Sequence, residues 1–226
     1  ELFHSWSDMR PIVLAGALVL ALTTSSRAQT PEATIDRAVA AYKSIRTMRG
    51  TFEQTLRNTL LARVSVAQGT FEQEFPKKIA IRFTDPAGDL LIVDGTVAWL
   101  YLPSTNPGQA LKVPAAVSGS SLSIIEQFLT SPATRFTLSD AGTATVSGRA
   151  THAVKLVPRA ATREFTEATV WIDDRTALIR QFEVTEPNGL VRRIRLIETT
   201  LNPTLSPTAF TFTPPAGVKV VDQTKG

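Results

Sequence analysis

A helical period opens the regular part of the chain. Thr30-Pro31-Glu32 offers a capping hydroxyl, a proline at the first helical position and an acid near the positive end of the helix dipole. Ile35, Val39, Tyr42 and Ile45 follow at spacings of four, three and three, one apolar stripe, and Gly50 reads as its terminator. The period then shortens to two. Residues 51–57, 64–74, 79–84, 90–93 and 97–102 read as strands, with 86–89 as a turn and Asp94-Gly95 as a hairpin signal. After a turn-rich loop over 103–108, residues 109–113 are compatible with a short strand. Residues 118–130 read as a short helix with Leu122, Ile125, Phe128 and Leu129 on one side. Strands resume at 135–138, 143–146, 152–157, 166–172, 178–184 and 190–199, with tight turns at 173–175 and 187–189. A succession of hairpins with helices inserted at two points predicts an α+β fold, mainly antiparallel β.

Upstream lies an apolar run of another kind. From Met9 the sequence reads MRPIVLAGALVLALTTSSRAQ: Arg10, then twelve residues from Pro11 to Leu22, then Ser26-Arg27-Ala28. Twelve residues at 1.5 Å each fall short of a hydrocarbon core about 30 Å thick. Residues 1–28 are therefore expected to be an export signal with upstream residues, cleaved after Ala28, and residues 29–226 to form one exported domain.

Composition narrows the chemistry. Among 226 residues there is no cysteine, which excludes a disulfide framework, thiolate metal ligation and a cysteine nucleophile. The 24 Lys and Arg against 20 Asp and Glu are dispersed, without the basic stripe that nucleic acid requires. His4 and His152 are the histidines, so a histidine-rich metal site and a nucleophile–histidine pair lack their parts. No G-x-S-x-G elbow and no glycine-rich phosphate loop occur. Asp94, Asp173 and Asp174 read as turn residues, Glu72 and Glu74 as the solvent side of a strand, and His152 as a structural strand histidine. Arg193 and Arg195 read as a solvated face opposite Ile194 and Leu196. The expectation is no enzyme, no metal and no cofactor.

The apolar rows carry more. Ile79, Ile81 and Phe83 alternate with Ala80 and Arg82, and Leu91 with Val93 forms a second row. Leu90 and Ile92 make the opposite face of that strand apolar too. Phe52, Phe71, Trp99 and Tyr101 add aromatics. Periodicity does not separate a packed core from an apolar cavity.

Phe52-x-Gln54 after an amphipathic helix, then Gly69, Pro76 and Pro86, the run LLIVDGTVAWLY from Leu90 to Tyr101, and FTFTPPAGV from Phe210 to Val218 stand in one order along nearly the whole mature chain. In these residues the sequence resembles the LolA family, periplasmic carriers of outer-membrane lipoproteins. The resemblance implies an incomplete (half) β-barrel with helices covering its concave face, and an apolar concavity for the acyl chains of a triacylated lipoprotein. It implies a monomeric carrier loaded by an inner-membrane lipoprotein-releasing transporter and unloaded onto an outer-membrane acceptor. Ungapped alignment from Pro76 to Tyr101 puts the family's cavity row on Ile79, Ile81, Phe83 and Leu91. Val93 and the aromatics Phe52, Phe71, Trp99 and Tyr101 complete the expected lining. The wider alternatives are a related lipid- or glycolipid-binding or lipoprotein-sensing module, and a packed interaction domain. The family commonly carries an arginine before the proline that is Pro76 here, as a latch to the lid. This chain has Phe75, so closure is expected to come from apolar contact with Leu122, Ile125 or Phe128.

Overall fold

The structure, a computed structural model, describes residues 30–115, 124–162 and 164–224. The expected signal segment and Leu122 lie outside these described residues. Helix α1 (Pro31–Tyr42) begins as expected: the Thr30 hydroxyl accepts from the Ala33 amide, and Ile35 and Ala38 face inward. Gly50 does not end it. The helix stops at Tyr42, and Gly50 lies inside strand β1 (Thr47–Asn58), where a Cβ would collide with the Glu198 carbonyl. That glycine permits close approach of two strands, a use the sequence does not distinguish from a helix stop.

The remaining strands are β2 (Arg63–Glu74), β3 (Lys78–Asp85), β4 (Ala87–Val93), β5 (Val97–Tyr101) and β6 (Gln109–Pro114). After α2 (Ile124–Leu129) and the single turn α3 (Pro132–Arg135) come β7 (Phe136–Val146), β8 (Arg149–Pro158), β9 (Glu167–Asp173), β10 (Ile179–Thr185), β11 (Leu190–Leu201) and β12 (Lys219–Asp222). They form one sheet in the order β12-β6-β5-β4-β3-β2-β1-β11-β10-β9-β8-β7, whose two ends do not pair. Every neighbouring pair is antiparallel except β12 on β6, which is parallel. The expected incomplete barrel is thus the architecture found.

Three local expectations are corrected. Residues 86–89 are not a turn: Thr84 pairs with Ala87, so only Asp85-Pro86 turns, and Asp89 sits in β4 with its carboxylate accepting from the Ser104 amide and hydroxyl. The expected strands 135–138 and 143–146 are, from Phe136 on, one strand, β7, which continues through an irregularity between Asp140 and Thr143 while Asp140 accepts from the Gly142 amide; Arg135 closes α3. Strand β12 was not foreseen, since four residues with one parallel partner leave no period to read.

Apolar clusters form on both faces of the sheet. On the inner face, α1 and α2 pack over residues from β1 to β4 and β7 to β11. On the outer face, a smaller cluster joins Ala80 and Ile92 to Ala209 and Phe210 of the chain after β11, with Leu90, Leu205 and Phe212 at its margin. That C-terminal segment makes a short 3-10 turn (Pro207–Phe210) opened by the Ser206 hydroxyl, and the Arg82 guanidinium donates to the Ala209 carbonyl at 2.7 Å. It then lies down beside β6 as β12.

Candidate functional site

The inner face of β1 to β4 is built by strand parity. Phe71 pairs with Ile81, Ile81 with Leu91 and Ile79 with Val93, so these side chains stand in adjacent rows on one face. Phe52 joins them from β1 across Gly69, and its ring meets Phe83 edge-on at 5.5 Å between centroids. Gly69 makes that contact possible, because a Cβ there would lie 2.9 Å from the Phe52 ring. Phe52, Phe71, Ile79, Ile81 and Val93 are buried in one cluster with Ile35 of α1 and Ile125 and Phe128 of α2, whereas Phe83 and Leu91 are only half-buried. Seven of the expected lining residues therefore converge on the face that the helices cover.

Trp99 and Tyr101 do not. Trp99 pairs with Ile92 and Tyr101 with Leu90, the opposite parity to Leu91 and Val93, so both rings stand on the outer face. There Phe212 packs against each of them at 5.6 Å, and the Lys112 ammonium lies over the Trp99 ring at 5.5 Å. The two sequence segments that carry the resemblance pack against one another. The expected cavity positions of Trp99 and Tyr101 are thus corrected: the register of the β4–β5 hairpin sets their face, and alternation within either strand does not fix that register.

Phe75 lies at the far end of β2, where its ring meets Tyr42 of α1 at 6.2 Å, edge-on, and its amide donates to the Arg46 carbonyl. Val39, Tyr42, Ile45, Phe75 and Leu129 line an open groove here of about 660 Å³, with the Glu126 carboxylate on its rim. Partial burial raises the Glu126 pKa. Burial of the Tyr42 phenol pushes it up to about 12; its oxygen lies near the Ile179 backbone without a well-formed hydrogen bond. The ring partner of Phe75 is thus on α1, while Leu129 of α2 shares the groove with it. Phe128 is engaged elsewhere, against Phe165 at 5.7 Å and Phe182 at 5.8 Å, and Ile125 is fully buried beside it. Phe128 thus anchors α2 toward β10.

The titratable groups singled out from sequence are engaged in turns and ion pairs. Asp94 accepts from the Thr96 and Val97 amides, and His152 meets Asp140 at 2.9 Å. Glu72 pairs with Arg82 and Glu74 with Lys78, while Arg193 and Arg195 pair with Glu183 and Glu53 on the outer face. Asp173 is buried, which raises its pKa. The Thr176 and Arg175 amides and the Arg180 guanidinium outweigh that and hold the carboxyl below its usual range. The backbone of Asp174 accepts from Arg37 of α1 at 2.6 Å. Among the described residues no cluster of three or more metal-ligating side chains occurs.

Comparison with known proteins follows the same strands. The chain is 27% identical over 189 residues to the outer-membrane lipoprotein carrier protein of Dechloromonas aromatica, covering 84% of this chain and 88% of that one. It is 26% identical over 192 residues to the carrier protein of Salmonella paratyphi A, covering 83% and 89%. Among solved structures it resembles MucB (TM-score 0.51, 16% identity, 84% of this chain and 65% of that one). It also resembles an uncharacterized conserved protein from Thermus thermophilus (TM-score 0.50, 12% identity, 85% and 98%). At these identities the structural likeness speaks for the fold. The family model for the outer membrane lipoprotein carrier protein LolA matches residues 43–213, from the end of α1 to the Phe212 that wedges against Trp99 and Tyr101, and the chain belongs to that family.

Proposed function

We propose that the inner face binds the acyl chains of lipoproteins and carries them through the periplasm, from an inner-membrane lipoprotein-releasing transporter to an outer-membrane acceptor. The observation that supports this is the row of Phe52, Phe71, Ile79, Ile81, Phe83, Leu91 and Val93 under two helices, with Phe83 and Leu91 left half-buried at its margin. Each methylene kept from water is worth about 0.8 kcal/mol, so one chain of roughly 16 carbons needs on the order of 12 kcal/mol of shelter. A sheet face that exchanges its helical cover for acyl chain supplies that shelter at little net change in apolar exposure. The chain acts by binding alone, as a monomer, with no cofactor, after export and removal of residues 1–28.

The test is mass spectrometry of the exported protein purified from membrane-containing cells, together with its N-terminal sequence. Co-purifying acylated peptide on a protein that begins at Gln29 supports the proposal. Glycolipid or phospholipid alone would move the cargo assignment to a related lipid carrier, and an empty protein that takes up no acylated peptide would reduce the face to packed core.

A further inference from the structure

The hairpin between β1 and β2 carries an apolar tip that the inner-face site does not use. Leu60 is 83% exposed and Leu61 71%, and Val64 and Val66 beside them are 60% and 54% exposed. Apolar residues this exposed, contiguous in sequence and space, mark a contact surface. The turn that holds them is built: Asn58 pairs with Arg63 across the hairpin, the Asn58 side chain accepts from the Leu61 amide at 3.0 Å, and Ala62 takes a left-handed φ of 49°. The tip also projects. Strand β3 pairs with β2 only from Gln68 to Glu74, so residues 63–67 and the turn extend past the β3–β4 hairpin. Five residues at about 3.4 Å each make an overhang of roughly 17 Å on the β3 side, while on the other side β11 accompanies β1 as far as Asn58.

Near the tip Arg63 is an exposed cation, while Arg57 lies 4.0 Å from the Glu183 carboxylate of β10. Between Glu53 and Glu72 there is no acidic residue, and this stretch contains Arg57 and Arg63, both exposed. A convex point of two leucines, flanked by Arg63 and by the Glu183-paired Arg57, fits a partner that yields around it. A bilayer surface with anionic headgroups does so: the leucines reach the acyl boundary while the guanidiniums stay among the phosphates. Depth is limited, because residues 63–67 present backbone groups with no β3 partner, which the hydrocarbon core would leave unsatisfied.

We propose that the Leu60-Leu61 tip is a shallow membrane-docking element that touches down on anionic phospholipid. The proposal concerns the empty protein and does not rest on what fills the inner face. The test is co-sedimentation of residues 29–226 with phosphatidylethanolamine vesicles, with and without phosphatidylglycerol. The wild type is expected to bind the phosphatidylglycerol vesicles, with binding that falls as salt rises. The double variant Leu60→Ser/Leu61→Ser should lose at least tenfold in partitioning with an unchanged melting temperature, because both side chains already stand in water. Arg63→Gln should lose a few-fold, and only on phosphatidylglycerol vesicles. A Leu61→Trp variant should show a blue-shifted emission quenched by brominated lipid. Failure of the wild type to sediment, equal sedimentation of the double serine variant, or a photocrosslinker at position 61 that captures protein and no lipid would each overturn the proposal.

Discussion

Strands β4 and β5 are apolar on both faces, β3 adds Ala80 to the outer one, and the two faces are covered by different means. On the outer face the cover is the C-terminal segment, joined to the sheet by main-chain partners: Arg82 on the Ala209 carbonyl, and β12 in register with β6 from Lys219 on Gln109 to Asp222 on Lys112. On the inner face the cover is α1 and α2, held chiefly by apolar contact, with Arg37 tying α1 to the Asp174 carbonyl at the exposed surface. Hydrogen-bonded backbone is costly to part without a substitute, whereas apolar contact can be replaced by any other apolar surface. The outer cover is therefore expected to behave as permanent structure, and the inner cover, on the proposed function, as an exchangeable one.

Breaking the outer cover should do the greatest damage to stability. Phe210→Ala empties a buried ring from the outer cluster and is expected to cost about 3–5 kcal/mol, read as a fall in melting temperature, while acyl-peptide uptake below that temperature is preserved. If the variant melts normally, the outer cluster is not the fixed element. Trp99 and Leu91 sharpen the contrast, since they lie one face apart on paired strands. Trp99→Ala should lower stability by about 2 kcal/mol and leave uptake intact. Leu91→Glu, half-buried and able to hydrate its carboxylate, should cost about 1–2 kcal/mol and abolish uptake of a fluorescent acylated peptide. Equal uptake in Leu91→Glu and wild type would remove the inner face from the site.

Phe75 tests how the inner cover closes. Phe75→Ala deletes the edge contact with Tyr42, worth about 1 kcal/mol, and should speed transfer of bound peptide to acceptor vesicles in stopped flow. Phe75→Arg should speed release as well, because a guanidinium cannot replace that ring contact. Unchanged rates in both variants would show that this end of β2 plays no part in gating.

The smallest expected effect is a pH dependence at the outer cover. The Thr224 hydroxyl and amide, with Lys112 behind them, lower the Asp222 carboxyl to about 2. A depressed carboxylate contributes stability above its unfolded value, about 3.9, and loses it as pH falls toward the folded value. Asp222→Asn should therefore lower the melting temperature at pH 7, where that contribution is fully present, and flatten its fall between about pH 4 and pH 2.

Most elements were legible because their periods are long. The alternation along β1, β2 and β8 to β11 and the capped start of α1 leave few other readings. What escaped was decided by contacts distant in sequence. Gly50 answers to Glu198, and β12 exists because β6 offers it an edge. The same division runs through the site. Parity puts Ile79, Ile81 and Phe83 in one row and Leu91 and Val93 in a second, and the family resemblance joins the two on one face. Parity could not say which aromatic shared that face, and Trp99 and Tyr101 were misplaced until the position of Phe212 was known. The Phe75–Tyr42 contact was equally out of reach, since nothing in either residue's neighbourhood specifies the partner.

An unclosed sheet has a further difficulty, which the two outermost strands meet in different ways. A bare edge is a template for another copy's strand, and a sheet that never closes on itself keeps two of them. At one end β12 is only four residues long and carries Lys219 and Asp222. At the other, β7 is long but broken by its irregularity between Asp140 and Thr143, with Asp140 drawn to His152. A four-residue edge strand with charged ends and a long edge strand interrupted by an irregularity thus blunt, at opposite borders, the hazard that an unclosed sheet creates.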